Sequence, residues 1–181
     1  HNFPLLTLVG VVDADLGLRG GDLRAAERTF QLLAQVAGRA GRKAKPGRAL
    51  LQTYLPEHPV MQALQDGDRD AFLALEMSER EAVRLPPYGR LAALIVSGAD
   101  PAALERFLRD LAAATPNAEG VDVFGPADPP FSLVRGRRRK RFLVRADRNV
   151  DLQAFLAAWR ARVKVPGSVR LTIDVDPYSF L

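Results

Sequence analysis

The spacing of apolar and polar positions divides the chain into two regimes. Apolar residues run almost without interruption from Leu6 to Val12 and return from Arg48 to Tyr54, a pattern that predicts strands buried on both faces of a parallel sheet. Between them, Asp22 is the expected N-cap of a helix with Leu23, Ala26, Phe30 and Leu33 as its apolar stripe. Pro56 stops the second strand. Residues 57–84 then carry helical periodicity with an acidic face that includes Asp66, Asp70, Glu76 and Glu79, and with Phe72, Leu75, Met77 and Val83 turned toward a neighbour. Leu85-Pro86-Pro87-Tyr88 imposes an extended segment, and a domain boundary is expected there.

From Leu91 the pattern changes. Leu91 to Ser97 predicts a strand, and Pro101 to Ala114 a helix with Leu104, Phe107, Leu108 and Leu111 on one face. Val121 to Phe124 predicts a short strand that Phe131 to Val134 extends, and Arg139 to Arg145 another. Asp151 to Val163 predicts a second helix with Leu152, Phe155, Leu156 and Trp159 on its face, and Val169 to Val175 a closing strand. The succession β-α-β-β-α-β is that of the ferredoxin-like α+β folds. The expected division is therefore residues 1–55, a helical connector over 56–90, and a ferredoxin-like domain over 91–181.

Charge sharpens this picture. The chain of 181 residues has a formal net charge of +5, basic over residues 1–55 and 91–181 and acidic between, which points to an anionic partner, nucleic acid being the usual one. Most of the excess lies in Arg135, Arg137, Arg138, Arg139, Lys140 and Arg141, a predicted hairpin in which cations crowd around Gly136. These are the candidate DNA contacts, reading shape and backbone rather than bases. With no cysteine and only His1 and His58, no metal site is expected in this chain. No apolar run approaches the roughly 18 to 20 residues of a membrane span, and no signal peptide is seen, so a cytoplasmic place and no membrane contact are expected.

One stretch has its own chemistry. Gln35-Val36-Ala37-Gly38-Arg39-Ala40-Gly41-Arg42 closes the first helix with two arginines three apart on a glycine-spaced turn. A guanidinium meets phosphate oxygens as a planar fork, and Gly38 and Gly41 allow close backbone approach. Asp15, at the end of the first strand, lies where open α/β sheets place ligands, although such an aspartate equally serves to end a strand.

The order Q-x-x-G-R-x-G-R resembles the last motif of superfamily 2 helicases, in which two RecA-like lobes close over ATP. Together with His1-Asn2-Phe3-Pro4, Val11-Val12-Asp13-Ala14-Asp15, Leu51-Gln52-Thr53, Leu85-Pro86-Pro87-Tyr88 and Asp174-Val175-Asp176-Pro177, it makes the chain similar to the C-terminal portion of the primosomal replication-restart helicases, the PriA (primosomal protein N′) family. The resemblance implies that residues 1–55 end a second RecA-like lobe in an ATP-dependent 3′–5′ DNA helicase acting at stalled forks. It makes Arg42 the arginine finger, Arg39 its companion at the γ-phosphate, and Gln35 the residue orienting nucleotide or water. It further implies ATP and Mg2+ in the full-length protein, zinc in a part upstream, and forked or single-stranded DNA, single-stranded DNA-binding protein and other primosome proteins as partners. The acidic tail of single-stranded DNA-binding protein would dock at Arg148 and Gln153.

No G-x-x-x-x-G-K-[ST] loop occurs, so this chain alone is expected to bind ATP poorly and hydrolyse none. A non-catalytic nucleic-acid-binding module and a protein-interaction module of a degenerate helicase stay open as alternatives.

Overall fold

The computed structural model describes residues 6–19, 22–40, 47–129 and 131–177. They fall into two compact units, residues 1–77 and 78–181.

In the first unit, strand β1 (Leu8–Val11) pairs in parallel with β2 (Arg48–Leu51), Leu8 opposite Arg48 and Val11 opposite Leu51. A crossover through helix α1 (Ala25–Ala37) joins them. Asp22 does not cap that helix as expected. Its Oδ1 accepts from the Arg24 amide at 3.1 Å and its Oδ2 from the Arg28 guanidinium at 2.7 Å, which winds the chain through a turn first and delays the helix to Ala25. Helix α2 (Pro59–Asp66) is capped by His58, whose Nδ1 accepts from the Val60 amide, and ends at Gly67, whose φ of +68° is the left-handed conformation that glycine adopts without strain. The periodic stretch therefore resumes as a separate helix, α3 (Arg69–Ala82). Phe30 and Leu33 of α1, Val60 and Met61 of α2, and Phe72 of α3 form one core, with the Phe30 and Phe72 rings stacked at 4.4 Å.

Two expectations fail in this unit for one reason. Leu8 and Leu50 are 55% and 60% exposed, so the strands are not buried on both faces; Val11 and Leu51 pack on the core while the other face has no covering layer among the described residues. Likewise, of Phe72, Leu75, Met77 and Val83, only Phe72 is buried. Apolar patterning records where burial is favourable, and two strands with one layer of helix cannot provide it on every side.

The division between units falls within α3, after Met77. The second unit contains β3 (Gly89–Gly98), α4 (Pro101–Ala113), β4 (Val121–Ala127), β5 (Leu133–Val134), β6 (Arg137–Asp147), α5 (Leu152–Ala161) and β7 (Val169–Val175). Its sheet has the order β4-β6-β3-β7, every neighbouring pair antiparallel, with β5 added to the start of β6. This is the interleaving that β-α-β-β-α-β succession produces in an α+β unit; Leu133 and Val134 form a strand of their own rather than extending β4. Asp100 and Asp151 cap the two helices through their side chains.

The helices cover one face. Ala92, Leu94 and Val96 of β3 and Phe142, Val144 and Ala146 of β6 meet Leu104, Phe107, Leu108 and Leu111 of α4 and Leu152, Phe155, Leu156 and Trp159 of α5. Burying each of the larger side chains contributes roughly 1.5–3 kcal/mol. Trp159 is fully buried, edge-on to Phe142 and Phe155, and its indole N–H donates to the Leu111 carbonyl at 2.8 Å.

Candidate nucleic-acid interface

The basic run begins in a turn. Arg135 and Gly136 connect β5 to β6 with φ of +50° and +73°, both left-handed, as a two-residue hairpin turn of the primed type requires. From there β6 pairs with β3 in unbroken register, Arg138 opposite Gly98 through to Asp147 opposite Gly89. Strand alternation then distributes the cations. Phe142, Val144 and Ala146 enter the helix-side core, so Arg138 and Lys140 stand on that side and Arg137, Arg139 and Arg141 on the other.

The cations therefore do not crowd into one patch around Gly136, as the linear run suggested. Lys140 pairs with Asp128 at 2.9 Å. Arg137 donates to the carbonyls of Ser97 and Ser168 at 2.9 and 3.2 Å, tying the turn to the end of β3 and to the loop before β7. Exposed Arg138 lines a groove of about 470 Å³ with Leu104, Glu105, Asp128, Leu133, Arg139 and Lys140. Arg139 and Arg138 make no ion pair among the described residues. Phe142 is core and unavailable to stack on a base, whereas Phe131 is 63% exposed.

The far end of β6 is neutralised. Arg145 donates to Asp122 at 2.9 Å and to the Val83 carbonyl at 2.8 Å, and its guanidinium lies 5.2 Å over the Phe124 ring. Arg84, itself at φ +53°, bridges Asp122 and Asp147, and its guanidinium is held above its ordinary value chiefly by the hydrogen bond to Asp147. Linear reading missed Arg84 because its partners lie 38 and 63 residues away. The same holds for Arg90, which pairs with Asp176 at 2.7 Å and reaches the Gln153 side chain at 3.3 Å. Gln153 and Arg148 are exposed near the start of α5, with Asp151 between them occupied in capping the Ala154 amide at 2.9 Å.

At the other candidate site, Gln35, Gly38 and Arg39 are exposed at the C-terminal end of α1, an end that favours cations through the helix dipole. Gly38 sits at φ −66°, a conformation open to any residue, and its amide closes the helix on the Ala34 carbonyl. Gly41 and Arg42 lie outside the described residues.

Asp15 is placed differently from expectation. It is 1% exposed, its Oδ1 accepts from the Thr53 hydroxyl and its Oδ2 from the Tyr54 amide at 2.7 Å, which ties the end of β1 to the end of β2. The Thr53 hydrogen bond, with the Tyr54 amide second, holds its carboxyl below the ordinary value. Both oxygens are committed inside the fold, so Asp15 is a structural tie and not a nucleotide contact. Among the described residues no three or more histidines, aspartates or glutamates are grouped to hold a metal, and no helix is long and apolar enough to cross a membrane.

The site thus lies in an antiparallel α+β unit with a basic strand, which follows a parallel βαβ crossover in the chain. The chain belongs to the primosomal protein N C-terminal domain family, whose model matches residues 81–178. Its relatives carry the name replication restart protein PriA. That of Rickettsia conorii (strain ATCC VR-613 / Malish 7) is 43% identical over 180 residues, 99% of this chain and 28% of the relative. Those of Synechocystis sp. (strain ATCC 27184 / PCC 6803 / Kazusa) and Bacillus subtilis (strain 168) are 40% and 35% identical over 96% and 99% of this chain, and 21% and 23% of their own lengths. The chain thus spans little more than a quarter, at most, of these curated relatives and corresponds to their C-terminal portion.

Proposed function

We propose that this chain is the C-terminal part of an ATP-dependent 3′–5′ DNA helicase that acts in the cytoplasm in replication restart and primosome assembly at stalled forks. The observation that carries the reading is the near-complete alignment with replication restart proteins of three distant organisms, running through the arginine turn as well as the α+β unit. In this reading residues 1–55 end a RecA-like lobe, residues 56–90 lead out of it, and residues 91–181 are a ferredoxin-like DNA-contacting domain.

The β1-α1-β2 crossover supports the first assignment, since it delivers Gln35 and Arg39 to one helix end beside a parallel sheet. Arg39 can meet an anionic group there: it is exposed and makes no ion pair among the described residues. ATP with Mg2+, when bound, supplies a γ-phosphoryl group on which charge builds during hydrolysis. The role of Arg39 and Arg42 is to meet that charge with fixed cations, and of Gln35 to orient the nucleotide or the attacking water. In the α+β unit the cations of β6 contact the DNA backbone. Exposed Arg148 and Gln153 are the contacts for the acidic tail of single-stranded DNA-binding protein.

The test has two arms. In the full-length protein, Arg39→Ala or Arg42→Ala lowers DNA-stimulated ATP turnover on the order of 10³-fold or more while leaving fork binding intact. In the chain itself, binding to labelled forked DNA weakens with salt, and neutralising Arg137 to Arg141 flattens that dependence. ATP turnover indifferent to both arginines refutes the motor assignment; fork binding indifferent to salt and to the cluster refutes the DNA assignment.

A further inference from the structure

The register of the second sheet brings together residues that no linear run contains. On the face away from α4 and α5, Arg139 of β6 stands opposite Ser97 of β3, which stands opposite Arg170 of β7. This is one row across three strands, with the two arginines about 10 Å apart at two strand spacings. The next row is Arg141, Ile95 and Thr172, with Ala127 of β4 beyond Arg141. The row after that is Phe124, Leu143, Ala93 and Asp174. Beyond it the face closes, because Arg145 and Arg84 are tied to Asp122 and Asp147 and Arg145 bonds the Val83 carbonyl.

The face is thus graded, basic at one end, apolar in the middle with the exposed carboxylate of Asp174 at its β7 edge, and sealed at the other. Arg170 and Thr172 are exposed, Phe124 is 46% exposed, and Ile95, Leu143 and Arg139 are half-buried. Neither Arg139 nor Arg170 makes an ion pair among the described residues, so their charge is uncompensated within the row.

We infer that this open face is a platform for single-stranded nucleic acid, with Arg139 and Arg170 as its phosphate contacts and Ile95, Leu143 and Phe124 as the surface on which bases lie. The inference rests on the proposed DNA-contacting role of the α+β unit and deepens it. Charge alone suits any polyanion. The choice of a single strand comes from the apolar row set beside the cations: a duplex presents phosphates but hides the faces of its bases, so that row gains nothing from it, whereas an unpaired strand has faces to lay down. Arg138 and Lys140, on the helix side of the same strand, lie outside the platform although they are sequence neighbours of Arg139.

The experiment measures anisotropy of a fluorescent thymidine homopolymer and of a duplex of equal length with the full chain, over a salt series. Three variants are compared: Arg139→Ala with Arg170→Ala, Arg138→Ala with Lys140→Ala, and Phe124→Ala. The four basic positions are exposed or half-buried, and circular dichroism confirms that each variant is folded. The expected result is a loss of single-strand affinity on the order of tenfold or more for the Arg139/Arg170 pair, with about 1.4 removed from the log–log salt slope. The Arg138/Lys140 pair costs clearly less affinity than the Arg139/Arg170 pair, and Phe124→Ala weakens the single strand more than the duplex.

If Arg138/Lys140 carries the loss and Arg139/Arg170 does not, the platform is refuted while β6 remains a DNA contact. A loss with Arg139/Arg170 that is equal for duplex and single strand, with Phe124→Ala silent, refutes the choice of ligand. A chain that binds neither probe refutes both the platform and the DNA-contacting role beneath it.

Discussion

Trp159→Phe tests whether the helix-side core holds the basic strand in place. The indole is fully buried beneath Phe142 of β6, and its N–H serves the carbonyl of Leu111 in the last turn of α4, where helical carbonyls lack partners from their own helix. Phenylalanine keeps an aromatic edge against Phe142 and Phe155 but gives up that donor. A buried carbonyl left without a partner costs about 1–3 kcal/mol. The volume lost with the smaller ring adds about 1 kcal/mol in a core that relaxes only in part. The sum is about 3 kcal/mol, which for a unit of roughly 100 residues lowers the melting temperature by on the order of 15 °C. Circular dichroism melting measures it, with anisotropy of a bound oligonucleotide followed on the same temperature ramp. The two signals are expected to fall together, since the arginines share a face only while β6 holds its register. A shift of less than about 3 °C would show that the Leu111 carbonyl finds another partner, and loss of binding well ahead of the melt would show that the core does not set the interface.

Two further predictions concern single atoms. Gly89→Ala places a Cβ 2.2 Å from the Arg84 carbonyl oxygen and 2.9 Å from that of Ala146, both backbone, so the clash is relieved only by moving the chain between α3 and β3. The expected cost is about 3 kcal/mol, read as a lower urea midpoint at unchanged slope; an unaltered midpoint would mean that this segment yields freely. Asp15 has its carboxyl held below the ordinary value of 3.8 by Thr53 and the Tyr54 amide, so its stabilisation is present above that pH and is lost as pH falls through the depressed native value. Asp15→Asn, whose amide cannot accept from both donors, is therefore less stable than the parent at pH 7, with the difference shrinking below about pH 4; a difference independent of pH would remove the charge from the argument.

What the sequence disclosed depended on the range of the interaction concerned. Val169 to Val175 is a strand over the span that alternation predicted, and α4 starts at Pro101 as expected, because both signals are local. The cap at Asp22 was misplaced because Arg28, six residues on, draws its carboxylate into an ion pair. Asp15 looked like a ligand at a strand end until Thr53 and Tyr54, 38 and 39 residues away, were found to consume it. The basic run was legible as charge but not as geometry. Alternation along β6 divides it into two faces, but what stands beside each arginine needs the register against β3 and β4, which the sequence of β6 alone does not contain. The arginine turn was legible as a motif; its placement beyond Ala40 lies outside the described residues.

The register also shows how one strand carries arginines with opposed tasks. Arg139, Arg141 and Arg145 recur at alternate or fourth positions of β6 on the same face, so nothing in β6 itself distinguishes them. The neighbouring strand does. Opposite Arg145, β4 presents Asp122, which also takes Arg84 and fixes that end as structure; opposite Arg141 it presents Ala127, across an irregularity that ends the regular pairing at Phe124. Beside Arg139, the partner is Ser97, too short to neutralise a guanidinium. The acid on one flank thus fixes Arg145 in the fold, while Arg139 makes no ion pair among the described residues. An isosteric swap at the sealed end, Asp122→Asn, would remove the carboxylate that Arg145 and Arg84 share, leave Arg84 with Asp147 alone, and extend the basic surface along the sheet. It should raise nonspecific oligonucleotide affinity while lowering stability, and a fall in both would mean that the seal, not the charge, shapes the face.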